Sequence, residues 1–309
     1  MMRLILICLR ILIFFSALTV VIVFSRRRAF SANQQLVYEI SNGTFVPTFL
    51  AIHPDEYFGA DRHFVFRTRS HFGDSLHVSG VDCSPGGRSL ILWHQSLYRY
   101  DLAEDHLTRL LESQDANQKV IWSPDATQIA YIIAFGRAQA RKIFIVDAQG
   151  LAKTEIVTPL QIPSSVAWSP DSTRIAYTYT TSANVKMQGM AIAEVASGAV
   201  TVIYEAARMN DVSWSPDGTR IAFDMSAGER TDIYTVHPDG TALTRLTSDA
   251  KSNILPRWSP DGSLISYSAR GSKKYELYVM NPDGSDPYLV TRDIGGVDVL
   301  NRCWLMKAS

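Results

Sequence analysis

The sequence predicts an all-β, six-bladed β-propeller of four-stranded antiparallel blades. It adds an N-terminal transmembrane helix and a last blade closed by N- and C-terminal strands. Three observations lead there: a Trp-Ser-Pro-Asp phrase occurs four times, its spacing is nearly constant, and each copy opens the same series of strand-like runs. Trp122, Trp168, Trp214 and Trp258 stand 46, 46 and 44 residues apart. Two diverged copies extend the series, with Cys83 39 residues before Trp122 and Trp304 46 residues after Trp258. Six markers at 39–46 residues fit the period of a propeller blade.

In chain order, residues 1–28 read as a membrane anchor, 29–35 as a linker and 36–309 as the propeller. Residues 4–24, LILICLRILIFFSALTVVIVF, are apolar apart from Arg10, and Arg26, Arg27 and Arg28 follow at once. At ~1.5 Å per residue such a helix spans roughly 31 Å, about one hydrocarbon core. The alternative is a removed signal peptide built on Ile11–Phe24; the three arginines, and Phe30 where a small residue is wanted, oppose it. Arg3 and Arg10 precede the run, so the charges give no clean orientation and lean slightly toward a cytoplasmic body. The expectation adopted is a single-pass membrane protein with its body extracytoplasmic, the cytoplasmic face being left open.

The stretch around residues 36–69 offers three strand-like runs, QLVYEIS, TFVPTFLAI and HFVFRTR. A propeller must satisfy its sheet edges, so these runs are expected to join a C-terminal strand around Trp304 in one composite blade. Pro47 weakens the middle run or sets it at an edge. That makes six blades, with five or seven as alternatives because residues 53–78 fit poorly.

One repeat shows the logic. DVSW reads as a short strand, and Ser215-Pro216-Asp217-Gly218 has the chemistry of a type I turn, with Pro at the second position and Gly where φ is positive. TRIAFDM then alternates as a strand does, SAGER loops, TDIYTVH forms a third strand, and PDGT turns into ALTRLT. The structural repeat comprises Trp122, Asp125, Trp168, Asp171, Trp214, Asp217, Trp258, Asp261 and Trp304. The tryptophans serve as apolar wedges between blades, while the Ser and Asp side chains bond turn amides. A catalytic residue need occur only once, so repetition argues for architecture.

At these residues the chain resembles the TolB-like β-propellers, whose repeats carry W-S-P-D-G followed by IAF or IAY and later IYVMNPDG. Trp214–Gly218 and Trp258–Gly262 match in full, whereas Ala126 and Ser172 replace the glycine in the other two copies. The likeness covers about residues 79–304. Cys83-Ser84-Pro85-Gly86-Gly87 lacks both Trp and Asp, which makes the first blade the weakest assignment. The resemblance implies a non-catalytic module that binds another protein or serves as a scaffold. Prolyl-oligopeptidase relatives carry similar propellers, but beside a hydrolase domain for which the five residues after Trp304 leave no room.

Two sets of residues are candidates for a site. The loops between second and third strands supply Arg137, Arg141, Lys142, Lys186, Arg230, Arg270, Lys273 and Lys274 against one acid, Glu229. They would form a partner-binding rim for an acidic protein or lipid headgroups; the preferred alternative is ordinary charged loop surface. Lys119, Ser165, Asp211 and Asn301, each three residues before a marker, would ring the channel mouth, with solvated channel lining as the preferred reading. A propeller hydrolase or lyase acting on a sugar or lactone is the competing function. It should place several carboxylates or histidines at the mouth, and Asp211 is the one acid of the four.

Other classes fall away. Outside residues 1–28, which hold five arginines and no acid, 25 basic residues face 30 acidic ones, a poor footprint for nucleic acid. There is no GxSxG, Walker or GxGxxG motif, and no cofactor is expected. Six of the seven histidines lie between His53 and His106 without metal-ligand spacing, so no metal site is expected. Cys83 and Cys303 are one position out of phase and are expected to point to opposite faces, against a disulfide.

Overall fold

The computed structural model describes residues 34–41, 48–52, 63–67, 80–94, 96–112, 116–135, 140–158, 161–181, 188–206, 208–249, 251–271, 274–290 and 298–306. Three strands, β1 (Gln34–Ser41), β2 (Thr48–Ile52) and β3 (His63–Arg67), precede the repeats. The first blade is β4 (Gly80–Cys83), β5 (Ser89–His94), β6 (Ser96–Asp101) and β7 (His106–Glu112). The second is β8 (Ala116–Trp122), β9 (Gln128–Phe135), β10 (Ala140–Asp147) and β11 (Lys153–Ile156). The third is β12 (Gln161–Trp168), β13 (Arg174–Thr181), β14 (Gln188–Glu194) and β15 (Val200–Ala206). The fourth is β16 (Met209–Trp214), β17 (Ile221–Ala227), β18 (Arg230–Val236) and β19 (Thr244–Arg245). The fifth is β20 (Asn253–Trp258), β21 (Ile265–Arg270), β22 (Tyr275–Met280) and β23 (Tyr288–Leu289). A last strand, β24 (Asp298–Met306), pairs antiparallel with β1 in a four-stranded sheet ordered β24-β1-β2-β3.

The predicted fold class is corrected on two points. The repeats themselves build five blades of consecutive strands, not six; the marker at Trp304 opens one strand, and its sheet is a composite completed by β1, β2 and β3. The N-terminal transmembrane helix is not shown: residues 1–33 lie outside the described residues, among which no helix is long and apolar enough to cross a membrane.

The innermost strands follow one another around the channel in the order β4, β8, β12, β16, β20 and β24, and β24 returns to β4. Their neighbours pack through apolar clusters lying between sheets. Trp168 and Tyr177 of the third blade bury against Ala130, Ile132 and Ile143 of the second. Trp214 and Phe223 of the fourth meet Ala176 and Met190 of the third. Trp122 and Tyr131 pack on Ile91 and Trp93, and Trp258 and Tyr267 on Ala222 and Ile233. Each tryptophan therefore wedges against the preceding blade, where its large apolar area contributes most.

The expectation for the cysteines is also overturned: Cys83 and Cys303 form a disulfide with their Cα atoms 5.8 Å apart. The reason lies in how blades face each other. Asp82, one residue before a marker, reaches forward to the Trp122 amide of the next blade, and Ser213 does the same for Trp258. The position before one marker thus meets the next blade's marker position. Cys303 and Cys83 stand in that relation, so the one-residue offset is what brings them together.

Candidate functional site

Every Ser-Pro-Asp corner is built alike. Ser215 Oγ donates to Asp217 Oδ1 at 2.6 Å, the Thr219 amide donates to the same oxygen at 3.0 Å, and the Arg220 amide donates to Ser215 Oγ at 2.9 Å. The corners at Asp125, Asp171 and Asp261 repeat the Ser-to-Asp bond and the amide bond to the carboxylate. Bonds from the serine, and from the Thr219 backbone, hold the Asp217 carboxyl below the usual carboxylate range. These acids are consumed by turn geometry.

The channel holds a different arrangement. Asp211, near the start of β16, accepts at one oxygen from three other blades: from Lys119 Nζ on β8, from Ser165 Oγ on β12 at 3.1 Å, and from Arg257 Nη2 on β20 at 3.1 Å. Burial works to raise this carboxyl, but the charges of Lys119 and Arg257, with their hydrogen bonds, hold it well below the usual range. Asp211 is therefore an ionised hub, not a proton carrier poised near neutrality.

Two further acids support it. Asp224 on β17, 1% exposed, accepts the amides of Asn210, Asp211 and Leu255, each at 3.1 Å. It fixes the starts of β16 and β20, including Leu255, whose φ of 59° is costly for a residue with a side chain. Burial, then the charge of Asp211, pushes the Asp224 carboxyl up to about 6 against the pull of the backbone donors. On β4, burial likewise pushes Asp82 up to about 6, opposed by the Trp122 amide at 2.8 Å and by the charges of Arg257 and Lys119.

The structure thus brings together Lys119, Ser165 and Asp211 of the predicted channel set. Asn301 lies on β24 opposite Tyr38 of β1, and its side chain is outside the described residues. Arg257, Asp82 and Asp224 were missed by counting back three residues from each marker. Alternation carried the signal for the first two, because the position one before a marker shares a face with the position three before it. Asp224, inside an apolar run, gave no sign beyond being an acid among buried neighbours.

The predicted basic rim is dispersed over the ends of three blades. Lys142 pairs with Glu155 at 2.9 Å, and Arg141 beside it is half-buried with its Nε unpartnered. Arg230 is exposed at the start of β18, and Arg270, exposed at the end of β21, lies over the Tyr275 ring at 5.7 Å. Lys274 is half-buried just before β22. Arg137, Lys186 and Lys273 lie outside the described residues. Among the described residues no group of three or more His, Cys, Asp or Glu side chains could hold a metal ion.

Comparison with known proteins gives one family match: the PD40 model, TolB beta propeller domain, fits residues 126–298. No curated protein matches. Among solved structures, the fold is similar to that of a protein assigned as TolB from Agrobacterium tumefaciens, at 19% identity and TM-score 0.65 over 84% of this chain and 90% of that one. It is similar to TolB from Acinetobacter baumannii, at 16% identity and TM-score 0.72 over 89% of this chain and 67% of that one. An oligogalacturonate lyase from Vibrio parahaemolyticus is also similar, at 14% identity and TM-score 0.55 over 84% of this chain and 73% of that one. At these identities the likenesses concern the fold alone.

Proposed function

Because the chain belongs to the TolB beta propeller domain family, we propose that it is a non-catalytic module that binds another protein. The observation that carries this reading is the Asp211 hub. The acid best placed in the channel for chemistry is tied to Lys119, Ser165 and Arg257, each on a different blade. The Lys119, Asp211 and Arg257 side chains are 15–17% exposed, and removing Asp211 would leave two cations from different blades facing each other, so the hub serves to hold blades in register. Recognition then falls to the surface, and the exposed Arg230 and Arg270 fit an acidic partner.

We propose further that the body lies on the extracytoplasmic side of a membrane. The Cys83–Cys303 bond supports that side, since disulfides persist in oxidising compartments. Crosslinking and pull-down from native membranes, with protease accessibility on intact cells, test both parts. The reading expects a partner to copurify and the body to be cleaved from outside. Absence of any partner, together with turnover of a glycan or lactone by the purified body, would establish the enzyme reading instead.

A further inference from the structure

We infer that the Cys83–Cys303 disulfide is a redox-sensitive latch on the ring: while it is intact the seam between the first blade and the composite sheet stays closed, and a dithiol reductant opens that seam before the others. The bond lies where the first repeat blade meets the composite sheet, joining β4 to β24 at a sequence separation of 220 residues. The other described seams each contain a marker tryptophan in their apolar cluster. Among the described residues, the cluster at this seam, formed by Val81, Cys83, Leu90, Leu92, Tyr100 and Cys303, contains none. A cysteine stands at the position where the repeat elsewhere places its wedge, and the residue before the Trp304 marker is its partner. A covalent bond has replaced both the tryptophan and the side-chain-to-amide bond seen from Asp82 and Ser213.

Both sulfurs belong to buried residues, at 7% and 4% exposure, so a reductant reaches them when the seam breathes. The exchange is balanced by the reductant alone. A dithiol thiolate attacks one sulfur, its second thiol resolves the mixed disulfide, and the products are two protein thiols and the oxidised reductant. With the bond gone, the described side chains left to hold this seam are those of its apolar cluster, with no tryptophan among them. Cysteine in place of tryptophan forfeits much of the buried area that holds the other blades.

The test uses the full chain in detergent, with dithiothreitol as the dithiol. Alkylation should label one of the three cysteines, Cys8, before reduction and all three afterwards. Reduction should lower Tm by about 5–15 °C. Early proteolytic cuts in the reduced protein should fall in the composite sheet. Cys303→Ser should melt at the lower temperature with or without reductant. Cys83→Trp/Cys303→Ser, which restores the wedge, should melt above the single variant and ignore reductant. Three results would overturn the latch: labelling of Cys83 and Cys303 before reduction, an unchanged Tm after complete reduction, or a reductant response that survives in the double variant. If Cys303→Ser does not fold, the wild type with and without reductant and the double variant still decide the matter.

Discussion

Gly240 turns β18 into β19 with φ of 84°, and a Cβ built on it would sit 2.3 Å from the Ile203 carbonyl oxygen of the preceding blade. Gly150 and Gly284 make the same approach to Leu110 and Leu246. Gly240→Ala therefore combines left-handed strain with a backbone clash, and a loss of about 2–4 kcal/mol is expected by chemical denaturation. Ala126 is the converse case. It occupies the glycine place of its corner at φ 57°, so Ala126→Gly should gain about 0.5–1 kcal/mol. Ser172 is equally strained at φ 59°, but its Oγ accepts the Asp125 amide at 3.2 Å across the seam, so Ser172→Gly should gain less. Gly240, Ala126 and Ser172 were legible as turn positions because a Pro-Asp pair specifies a left-handed residue next. The contacts with the neighbouring blade were not, since they depend on how sheets pack.

Asp224 gives a residue-scale pH prediction. Its carboxyl is raised in the folded state to about 6 from an ordinary value of 3.8. The folded protein therefore binds the proton more tightly than the unfolded chain. Its contribution is fully present below the unfolded value and is lost as pH rises through about 6. Comparing wild type with Asp224→Asn between pH 4 and 7, the stability difference should change by on the order of 3 kcal/mol, the wild type being relatively stronger at the acid end. A constant difference across that range would contradict the assignment.

At the scale of elements, the seams carry information that single strands do not. Arg220, following one corner, lies over the Trp258 ring of the next blade at 4.9 Å and donates to the Pro282 carbonyl at 3.1 Å. Arg174 lies over Trp214 in the same way. The fifth blade has Leu264 in the corresponding place. Arg220→Leu should thus fold and cost about 1 kcal/mol, read as a shift of the denaturation midpoint at unchanged slope. The strands themselves were legible, because strict alternation and repeated turn chemistry leave little choice. Irregularities in the inner strands were not. Pairing registers shift within β8, β12, β16 and β20 and opposite β24, and such bulges re-aim side chains near the channel. Arg257 reaches Asp211 from a strand with one of these shifts, which counting from the marker did not reveal.

At the scale of the molecule, the strand-like runs before the repeats pointed to the composite sheet with the C-terminal strand, but nothing in the repeat pointed to the covalent bond beside it. Five blades follow from consecutive strands, and the remaining sheet joins β24 to β1 through long-range pairing. Periodicity reports what recurs, and the Cys83–Cys303 bond occurs once, at the joint. The channel hub is also a single occurrence: Lys119, Ser165 and Asp211 share the place three before a marker, but their residue types differ and Arg257 stands one before its own. The proposed function accordingly rests on features the blades do not share, the exposed Arg230 and Arg270 among them. The most direct measurement is quantitative capture of crosslinked partner from native membranes by the wild type and by Arg230→Glu/Arg270→Glu, with the folded state of both checked by Tm. An unchanged Tm and a loss of capture of about tenfold or more are expected, in keeping with reversal of two rim charges. Equal capture by both proteins would contradict this reading and leave Arg230 and Arg270 as ordinary surface.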